Sequence, residues 1–345
     1  MSKIVIVGAG KLNSSLNTYS KEFQLASNRP RIVILNSKNQ LNKKDSYGVP
    51  VYKGIFPKFA GSGWALNNLL GKEVYRRLAK TLQDNLVHYT TFGLPLLRRN
   101  ENDPVTIHDL FFLNKKDEAY GRFVNISKFL LDRFLEHNNV IAPSFKIKED
   151  LIEYGFSGTI DVIYIPVQKE FQYIPDKASL RRELSLPLDK ILVLSVSSTL
   201  LRKNTQAVSR TMEKLDDRFA LVRVGPYIGK GFYFQDADPI TLNKIYNSCD
   251  LLLFPTLAEG FGKPVIEAFA THLPVVVSDI DIMHEVAGDA AVFVKPNVES
   301  CYEGIKVALE NKETLIDKGL ERLKLYTQDA FTGKVRKVYS RIENS

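Results

Sequence analysis

The chain alternates short apolar runs with segments in which apolar residues recur every three or four positions. Short apolar runs are typical of strands that are buried on both faces of a sheet, and the second spacing is typical of helices packed on one side. A chain that alternates the two patterns throughout predicts an α/β fold with parallel sheets and crossover helices.

The apolar runs fall into two series. The first series predicts strands at residues 3–8, 31–35, 85–89, 104–108, 122–126, 140–143 and 161–166. The second series predicts strands at residues 190–196, 219–225, 249–255, 273–279 and 290–294. Leu66, Leu70, Val74, Leu78 and Leu82 share one helical face and predict a helix that covers the first sheet. Residues 127–137 repeat this pattern after Ser127, a suitable N-cap.

The stretch 166–184 has prolines and no strand pattern, so we place a domain boundary there. We predict an N-terminal Rossmann-like domain at residues 1–168 and a C-terminal Rossmann-like domain at residues 169–325. Residues 326–345 are polar with a helical pattern, and we expect a C-terminal helix that could pack back on the N-terminal domain. Doubly wound domains bind ligands at the carboxyl ends of their strands, which predicts a nucleotide cleft.

Composition fits this picture. The chain has 345 residues, of which 44% are apolar and 25% are charged, as in a globular protein of two domains. No apolar stretch reaches the roughly 20 residues that span a bilayer, and the apolar run near Met1 is too short for a signal peptide. We therefore expect a cytoplasmic protein.

Net charge indicates which kinds of ligand the protein could bind, and the cysteine positions indicate whether it holds a metal or a disulfide. The formal net charge of +8 favours anionic partners such as nucleotides, sugar phosphates, acidic lipids or nucleic acid. Nucleic acid has no other support, because the sequence contains no recognised module or basic stripe, so we predict no nucleic-acid partner. Cys249 and Cys301 lie far apart and outside metal-ligand spacings, which predicts reduced, packed thiols.

A glycine-rich turn, VGAGKLNSS, follows the first predicted strand. A dinucleotide fingerprint needs a third glycine where this chain has Asn13, and an acidic residue where it has Asn36. Both departures argue against NAD or FAD. Two interpretations stay open: Gly8 and Gly10 allow a ligand to approach the backbone closely, or the turn simply connects a strand to a helix.

The stretch LAEGFGKPVIEAFATHLPVVVSD, residues 257–279, contains a second glycine-rich turn. Pro264 suits the first turn of a helix, so the amides of Gly262 and Lys263 would face an anion, which we predict to be a phosphate. Carboxylates repel a phosphate, so those beside this turn need hydroxyl partners. Glu267 can accept from both hydroxyls of a ribose, and Glu259 from a sugar ring. The alternative is that Glu267 only favours the helix N-terminus and Glu259 is solvated.

A cationic turn lies in SVSSTLLRKN, residues 195–204. Arg202 and Lys203 could hold a diphosphate, the first as a planar fork and the second as a point charge. An exposed basic pair is the alternative interpretation.

These residues carry a resemblance to a known family. The segment LNKIYNSCDLLLFPTLAEGFGKPVIEAFATHLPVVVSDIDIMHEVAGDAAVFVKP resembles the donor-binding region of the retaining glycosyltransferases of family 4, whose motif is Glu, seven residues, Glu. VLSVSSTLLRKN and RVGPYIG are similar to the same family, and PVTIHDLFFL and VNISKFLLDRF are similar to a smaller extent. The resemblance implies the GT-B architecture, in which two Rossmann-like domains face each other across a nucleotide-sugar cleft.

The resemblance also implies roles for particular residues. Glu267 would bind the nucleotide ribose, and Glu259 would lie near the donor sugar and its phosphate. Many members of the family carry an arginine near the position of Ser197 or Ser198, so the resemblance implies that Arg202 contributes more to diphosphate binding here. His108 matches a histidine that faces the transferred sugar, although a histidine at a strand end is often a packed or capping residue. The candidate catalytic residues are therefore His108, Arg202, Lys203 and Glu259, and the candidate donor-binding residues are Gly10, Ser198, Gly260, Phe261, Gly262, Lys263 and Glu267.

The implied function is a retaining, metal-independent transfer of a hexose from a UDP- or GDP-linked donor to a hydroxyl of a sugar, glycolipid or glycan. No cofactor is implied besides this donor substrate. An anionic membrane surface is a candidate peripheral contact, although no amphipathic basic helix stands out. The alternatives are an epimerase or sugar phosphorylase of the same architecture, and a non-catalytic subunit that binds nucleotide sugars.

Overall fold

The structure is a computed structural model that describes residues 3–9, 22–23, 26, 32–36, 51–53, 85–90, 102–113, 128, 131–132 and 139–344. The chain forms two compact units. The first consists of Met1–Ile165 with Gln328–Ser345, and the second consists of Pro166–Thr327.

The first unit contains a parallel sheet. Among the described residues its strands, β1 to β7 in chain order, are Lys3–Ala9, Ile32–Asn36, Val51–Lys53, Asn85–Tyr89, Val105–Thr106, Asn139–Ala142 and Thr159–Val162. They pair in the order β3-β2-β1-β4-β5-β6-β7. Strands β2 and β3 are added on one side of β1, and the strands from β4 onward are added on its other side. This is the order of a doubly wound Rossmann sheet. Helix α1, Phe145–Glu153, begins at the N-cap Ser144, whose side chain accepts a hydrogen bond from the amide of Ile147.

The second unit repeats the arrangement. Its strands, β8 to β13, are Ile191–Val196, Phe219–Val224, Phe232–Phe234, Leu251–Phe254, Val275–Ser278 and Ala291–Val294. Its helices, α2 to α8, are Lys177–Glu183, Thr205–Lys214, Pro239–Ser248, Lys263–Ala270, Asp281–Ala287, Val298–Glu310 and Lys312–Leu323. The strand order is β10-β9-β8-β11-β12-β13, again a doubly wound order. Apolar side chains of the central strands pack against α3 and α7 to form the core of this unit.

The last helix, α9 (Gln328–Asn344), belongs to the first unit. Phe331, Val335, Val338, Tyr339 and Ile342 form its buried face, with the spacing of one helical side. The Tyr339 hydroxyl lies 2.6 Å from His88 Nδ1 on β4, so a hydrogen bond connects this helix to the sheet of its own unit.

The expectation of an α/β fold with parallel sheets is confirmed, and every predicted strand that falls on described residues is present to within a few positions. Strands β3 and β10 were not predicted, because they are edge strands of three residues each and therefore too short to form an apolar run. The predicted strand 122–126, the predicted helix over Leu66 to Leu82, and most of the predicted helix 127–137 lie outside the described residues. Cys249 and Cys301 are buried free thiols, as expected.

Candidate functional site

The reversal point of the second sheet places two loops side by side. Strands β8 and β11 are parallel neighbours, and the strand order reverses between them. Ligands bind at such a point, outside the carboxyl ends of the strands. The loop after β8 carries Ser198, Arg202 and Lys203, and the loop after β11 carries Glu259 and leads into helix α5. The fold thus brings the residues of both sequence motifs to one edge of one sheet.

Helix α5 begins without a side-chain cap. Gly262 is its N-cap residue, with a φ of 104° and no side-chain hydrogen bond to the first turn, and Pro264 occupies the first turn. A β-carbon on Gly262 would lie 2.7 Å from the Met283 methyl group, and the positive φ itself favours glycine. Uncapped amides at a helix N-terminus suit an anion, which fits the phosphate expected from the sequence.

Glu267 lies one turn into α5 and is buried, with 6% of its surface exposed. The Tyr246 hydroxyl donates a hydrogen bond of 2.8 Å to Glu267 Oε2. Burial raises the pKa of the Glu267 carboxyl above its usual range, while the charge of Lys263 and the hydrogen bond from Tyr246 act in the opposite direction. Tyr246 is itself fully buried, and burial raises its pKa well above the usual value, so its hydroxyl keeps its proton. The tyrosine therefore fixes one carboxylate oxygen of Glu267.

Glu259 lies between the two cations of the β8 loop. Lys203 Nζ lies 2.5 Å from Glu259 Oε1, and an Arg202 guanidinium nitrogen lies 3.8 Å from Oε2. The side chains of Lys203 and Glu259 are 14% and 9% exposed, so solvent screens this pair only weakly. From the sequence these residues were expected as separate contacts to a donor, but the structure joins them in one ion-pair cluster.

Two polar residues connect the loops. The Thr256 hydroxyl lies 3.1 Å from Glu259 Oε1 and 2.9 Å from the Arg202 carbonyl oxygen. Asn204 has a left-handed backbone with a φ of 50°, and its side-chain amide donates to the carbonyls of Pro255 and Pro296. The β8 and β11 loops are therefore held at a fixed separation.

A buried arginine lies beneath the beginning of the β8 loop. Arg223 on β9 is 0% exposed. Its guanidinium donates to the side chains of Ser195 and Ser197 and to the carbonyls of Ser197 and Ser198. Ser198, expected from the sequence to lie at the donor, is exposed directly above this arginine.

The other candidate residues from the sequence are Phe261, Gly260, His108 and Gly10. Phe261 is buried, with its ring 5.7 Å from that of Tyr326 in an edge-on arrangement, and Gly260 is partly exposed in the same loop. His108 belongs to the first unit, where its Nε2 lies 2.9 Å from the Thr90 carbonyl oxygen. Gly10 lies outside the described residues.

Tyr246, Thr256 and Arg223 were not predicted from the sequence. Tyr246 and Thr256 act through contacts between distant segments, which a single sequence does not reveal. Arg223 left a visible signal, because it is a charge in the middle of the apolar strand FALVRV. A charged residue at a buried strand position needs partners and often marks a site.

Metal-binding clusters and membrane-spanning helices are absent from the described residues. No group of three or more His, Cys, Asp or Glu side chains in the described part of the chain is placed to hold a metal ion. None of the helices described combines the length and the apolar character that crossing a bilayer requires.

Comparison with known families finds one match, which lies in the second unit. Residues 176–322 match the family described as glycosyl transferases group 1. This match covers nearly all of the unit that contains the site.

The chain is also similar to individual proteins. The chain is 28% identical over 261 residues to the O-antigen chain mannosyltransferase RfbU of Salmonella typhimurium. The matched region covers 70% of this chain and 69% of RfbU. Among solved structures, sucrose-phosphate synthase from Thermosynechococcus elongatus matches all of both chains with a TM-score of 0.85 at 18% identity. Anabaena HepE in complex with UDP and glucose matches 99% of this chain and 100% of its own, with a TM-score of 0.78 at 15% identity. The fold is that of the GT-B glycosyltransferases.

Proposed function

We propose that the protein is a retaining, metal-independent glycosyltransferase that moves a hexose from a nucleoside-diphosphate sugar to a hydroxyl of a sugar, glycolipid or glycan. The observation that carries this proposal is the start of α5, where an uncapped helix N-terminus lies one turn before the buried carboxylate of Glu267. A phosphate suits the free amides, and a ribose supplies the hydroxyls that the carboxylate can accept.

In this proposal the diphosphate of the donor lies between the start of α5 and the β8 loop. The amides of Gly262 and Lys263 face the phosphate, and Arg202 and Lys203 neutralise it. Lys203 is paired with Glu259 in the structure, so donor binding would redistribute this cluster, with Lys203 turning to phosphate and Glu259 to the sugar hydroxyls. Lys203 then exchanges a carboxylate partner for a phosphate, and Glu259 exchanges an ammonium group for neutral hydroxyl donors.

The proposed chemistry requires no enzymatic nucleophile. The bond between the sugar carbon and the diphosphate breaks, and the acceptor oxygen bonds to the same face of that carbon. The acceptor proton passes to an oxygen of the departing diphosphate. The protein contributes positioning and stabilises the negative charge on the leaving group. His108, carried over from the family resemblance, is proposed to face the transferred sugar.

The donor and the place of action belong to the same proposal. RfbU is named as a mannosyltransferase of an O-antigen chain, and HepE was solved with UDP and glucose. Mannosyl and glucosyl donors are therefore the first to test, with a glycan or glycolipid acceptor. Such acceptors suit a cytoplasmic enzyme with peripheral contact to an anionic membrane.

The test measures binding first and turnover second. Thermal shift with UDP, GDP, ADP and their hexose derivatives identifies the donor, because a ligand of the folded state raises the melting temperature by mass action. The donor that binds is then incubated with alkyl glycosides, and the product is analysed by proton NMR for the configuration at the new linkage. We expect retention and unchanged rates in excess EDTA. Inversion, or full loss of activity with chelator, would contradict the proposal.

Product analysis also separates the alternatives. An isomerised donor would indicate an epimerase, and a sugar 1-phosphate formed with inorganic phosphate would indicate a phosphorylase. Donor binding without any turnover across the acceptor panel would favour a non-catalytic binding subunit.

A further inference from the structure

Among the described residues, Arg223 is a cation buried without a carboxylate partner. All of its hydrogen bonds within the described chain go to neutral oxygens, those of Ser195, Ser197, Ser198 and Pro226. A fully buried charge is costly unless an opposite charge or a ligand balances it. The other buried arginine of this unit, Arg181, follows that rule, because it lies 2.6 Å from the Asp250 carboxylate.

The hydrogen bonds of Arg223 fix the direction of two peptide groups. The guanidinium donates to the Ser197 carbonyl at 2.7 Å and to the Ser198 carbonyl at 3.4 Å, so both carbonyls point down to Arg223. In a trans peptide the carbonyl of one residue and the amide of the next point in opposite directions. The amides of Ser198 and Thr199 therefore point away from the arginine, on the exposed side of the turn.

These two amides have no hydrogen-bond partner among the described residues, and Ser198 and Thr199 are both exposed. Successive backbone amides that point outward form a concavity that binds anions. Here a buried guanidinium lies behind them, so its charge and the amide dipoles favour an anion at the same place.

Gly225 maintains this arrangement. It has a φ of 134°, and a β-carbon there would collide with the carbonyl oxygen of Ser197. Only glycine allows the loop after β9 to approach the Ser197 carbonyl so closely. The amide of Ser197 in turn donates to the Val224 carbonyl, which anchors the start of the turn.

We infer that Arg223 is a positioning residue for the donor diphosphate, which it serves by holding the Ser197–Thr199 turn with two amides outward. The diphosphate is the anion that balances the buried charge. This inference rests on the proposed function and extends the phosphate site to the neighbouring strand β9. It also gives a role to Ser198, which is a candidate donor-binding residue from the sequence.

The test measures how much each phosphate contributes to binding. Isothermal titration calorimetry compares nucleoside, nucleoside monophosphate and nucleoside diphosphate, in the uridine and guanosine series, on the wild-type protein and on Arg223→Met and Arg223→Lys. We expect Arg223→Met to lower the ratio of diphosphate to nucleoside affinity by roughly tenfold or more while nucleoside affinity stays within about twofold, because the two outward amides and the positive charge behind them act on the phosphates alone. Arg223→Lys should restore part of the ratio.

Further variants keep the inference testable if Arg223→Met does not fold. Thr199→Pro removes one outward amide from an exposed residue, and Thr199→Ala keeps that amide while removing the side chain. We expect Thr199→Pro to reduce the diphosphate contribution more than Thr199→Ala does. Arg181→Met is the matched control for losing a buried arginine, and it should lower the melting temperature without changing the affinity ratio.

The outcomes separate this inference from the proposed function. An unchanged ratio in folded Arg223→Met, or equal effects of the two Thr199 variants, overturns the inference alone. A wild-type protein that binds no nucleoside diphosphate overturns the proposed function and the inference with it.

Discussion

Lys203 Nζ lies 2.5 Å from Glu259 Oε1, so a candidate cation of the site is paired with a candidate acceptor. Each of these residues comes from a different loop, one after β8 and one after β11. Both side chains are largely buried, which makes the pair stronger than a surface salt bridge and makes either residue costly to remove alone. In the proposed reaction this pair has to exchange partners when the donor binds.

Lys203→Ala is expected to reduce turnover at saturating donor by roughly 10²–10³, or about 2.7–4 kcal/mol, because a preorganised donor to the leaving diphosphate is lost. Steady-state kinetics with the identified donor measures this change. Lys318→Ala, an exposed lysine paired with Asp289, controls for the loss of one positive charge and should keep wild-type turnover. Near wild-type turnover of Lys203→Ala would count against its assignment.

Glu259→Gln is expected to have opposite effects on two measurements. It releases Lys203 from its carboxylate partner, so nucleoside diphosphate should bind more tightly, by about 1 kcal/mol. It also removes the proposed acceptor for the sugar hydroxyls, so turnover should fall. Calorimetry with the free diphosphate and kinetics with the sugar donor separate the effects. Weaker diphosphate binding in this variant would mean that Glu259 does not compete with the ligand for Lys203.

Glu267→Ala is expected to remove the preference for a ribose. A carboxylate that accepts from ribose hydroxyls should make the wild-type protein bind a nucleoside diphosphate more tightly than its 2′-deoxy form, by about 1.5–3 kcal/mol. The variant should bind both forms equally. Tyr246→Phe removes the hydrogen bond that fixes Glu267 and should give an intermediate preference. An unchanged preference in Glu267→Ala would place the ribose elsewhere.

The affinity for the donor is expected to fall on acidification. The fall should begin at a pH above the pKa of an ordinary glutamate. Burial raises the pKa of Glu267, so the carboxylate is protonated early as the pH falls and loses acceptor capacity. Protein stability responds with the opposite sign. A carboxyl with a raised pKa in the folded state stabilises that state as the pH falls. The difference between the wild type and Glu267→Gln isolates this group from others that titrate in the same range, such as His88. As the pH falls from about 7 to about 5, calorimetry should show the wild type losing donor affinity relative to the variant, and thermal unfolding should show it gaining stability relative to the variant.

Features that depend on residues close together in the sequence could be predicted, and features that depend on contacts between distant segments could not. The start of α5 was predictable because Gly262, Pro264 and Glu267 lie within one short segment, where a turn, a helix start and a helix face follow from local rules. The strands of the second unit other than β10 were predictable for the same reason, since each contains a run of apolar residues.

Contacts between segments were not predictable. Nothing near Glu259 in the sequence indicates that Lys203 is its partner, because the pairing depends on β8 and β11 being neighbours. Arg223 lies 26 residues from Ser197 and reaches it only through the pairing of β8 with β9. His272 was predictable only in part. It follows α5 at a position where helices commonly have a glycine, and the structure gives it the left-handed φ of 55° that is typical of such a position.

The last prediction concerns His88 in the first unit. Its Nδ1 lies 2.6 Å from the Tyr339 hydroxyl, and its Nε2 lies 2.8 Å from the Thr106 hydroxyl. Burial, with a smaller contribution from the charge of His108, lowers the pKa of His88 to about 3. An unfolded histidine titrates near 6.5, so between these values the unfolded chain binds one more proton than the folded chain. The free energy of unfolding should therefore fall as the pH falls, by up to about 1.4 kcal/mol per pH unit from this group. Urea unfolding at several pH values, followed by far-ultraviolet circular dichroism, measures this slope. His88→Gln should flatten the slope, and His284→Gln, which replaces an exposed histidine of the second unit, controls for the loss of one histidine. Equal slopes in the wild type and His88→Gln would show that His88 accepts a proton without leaving its buried position.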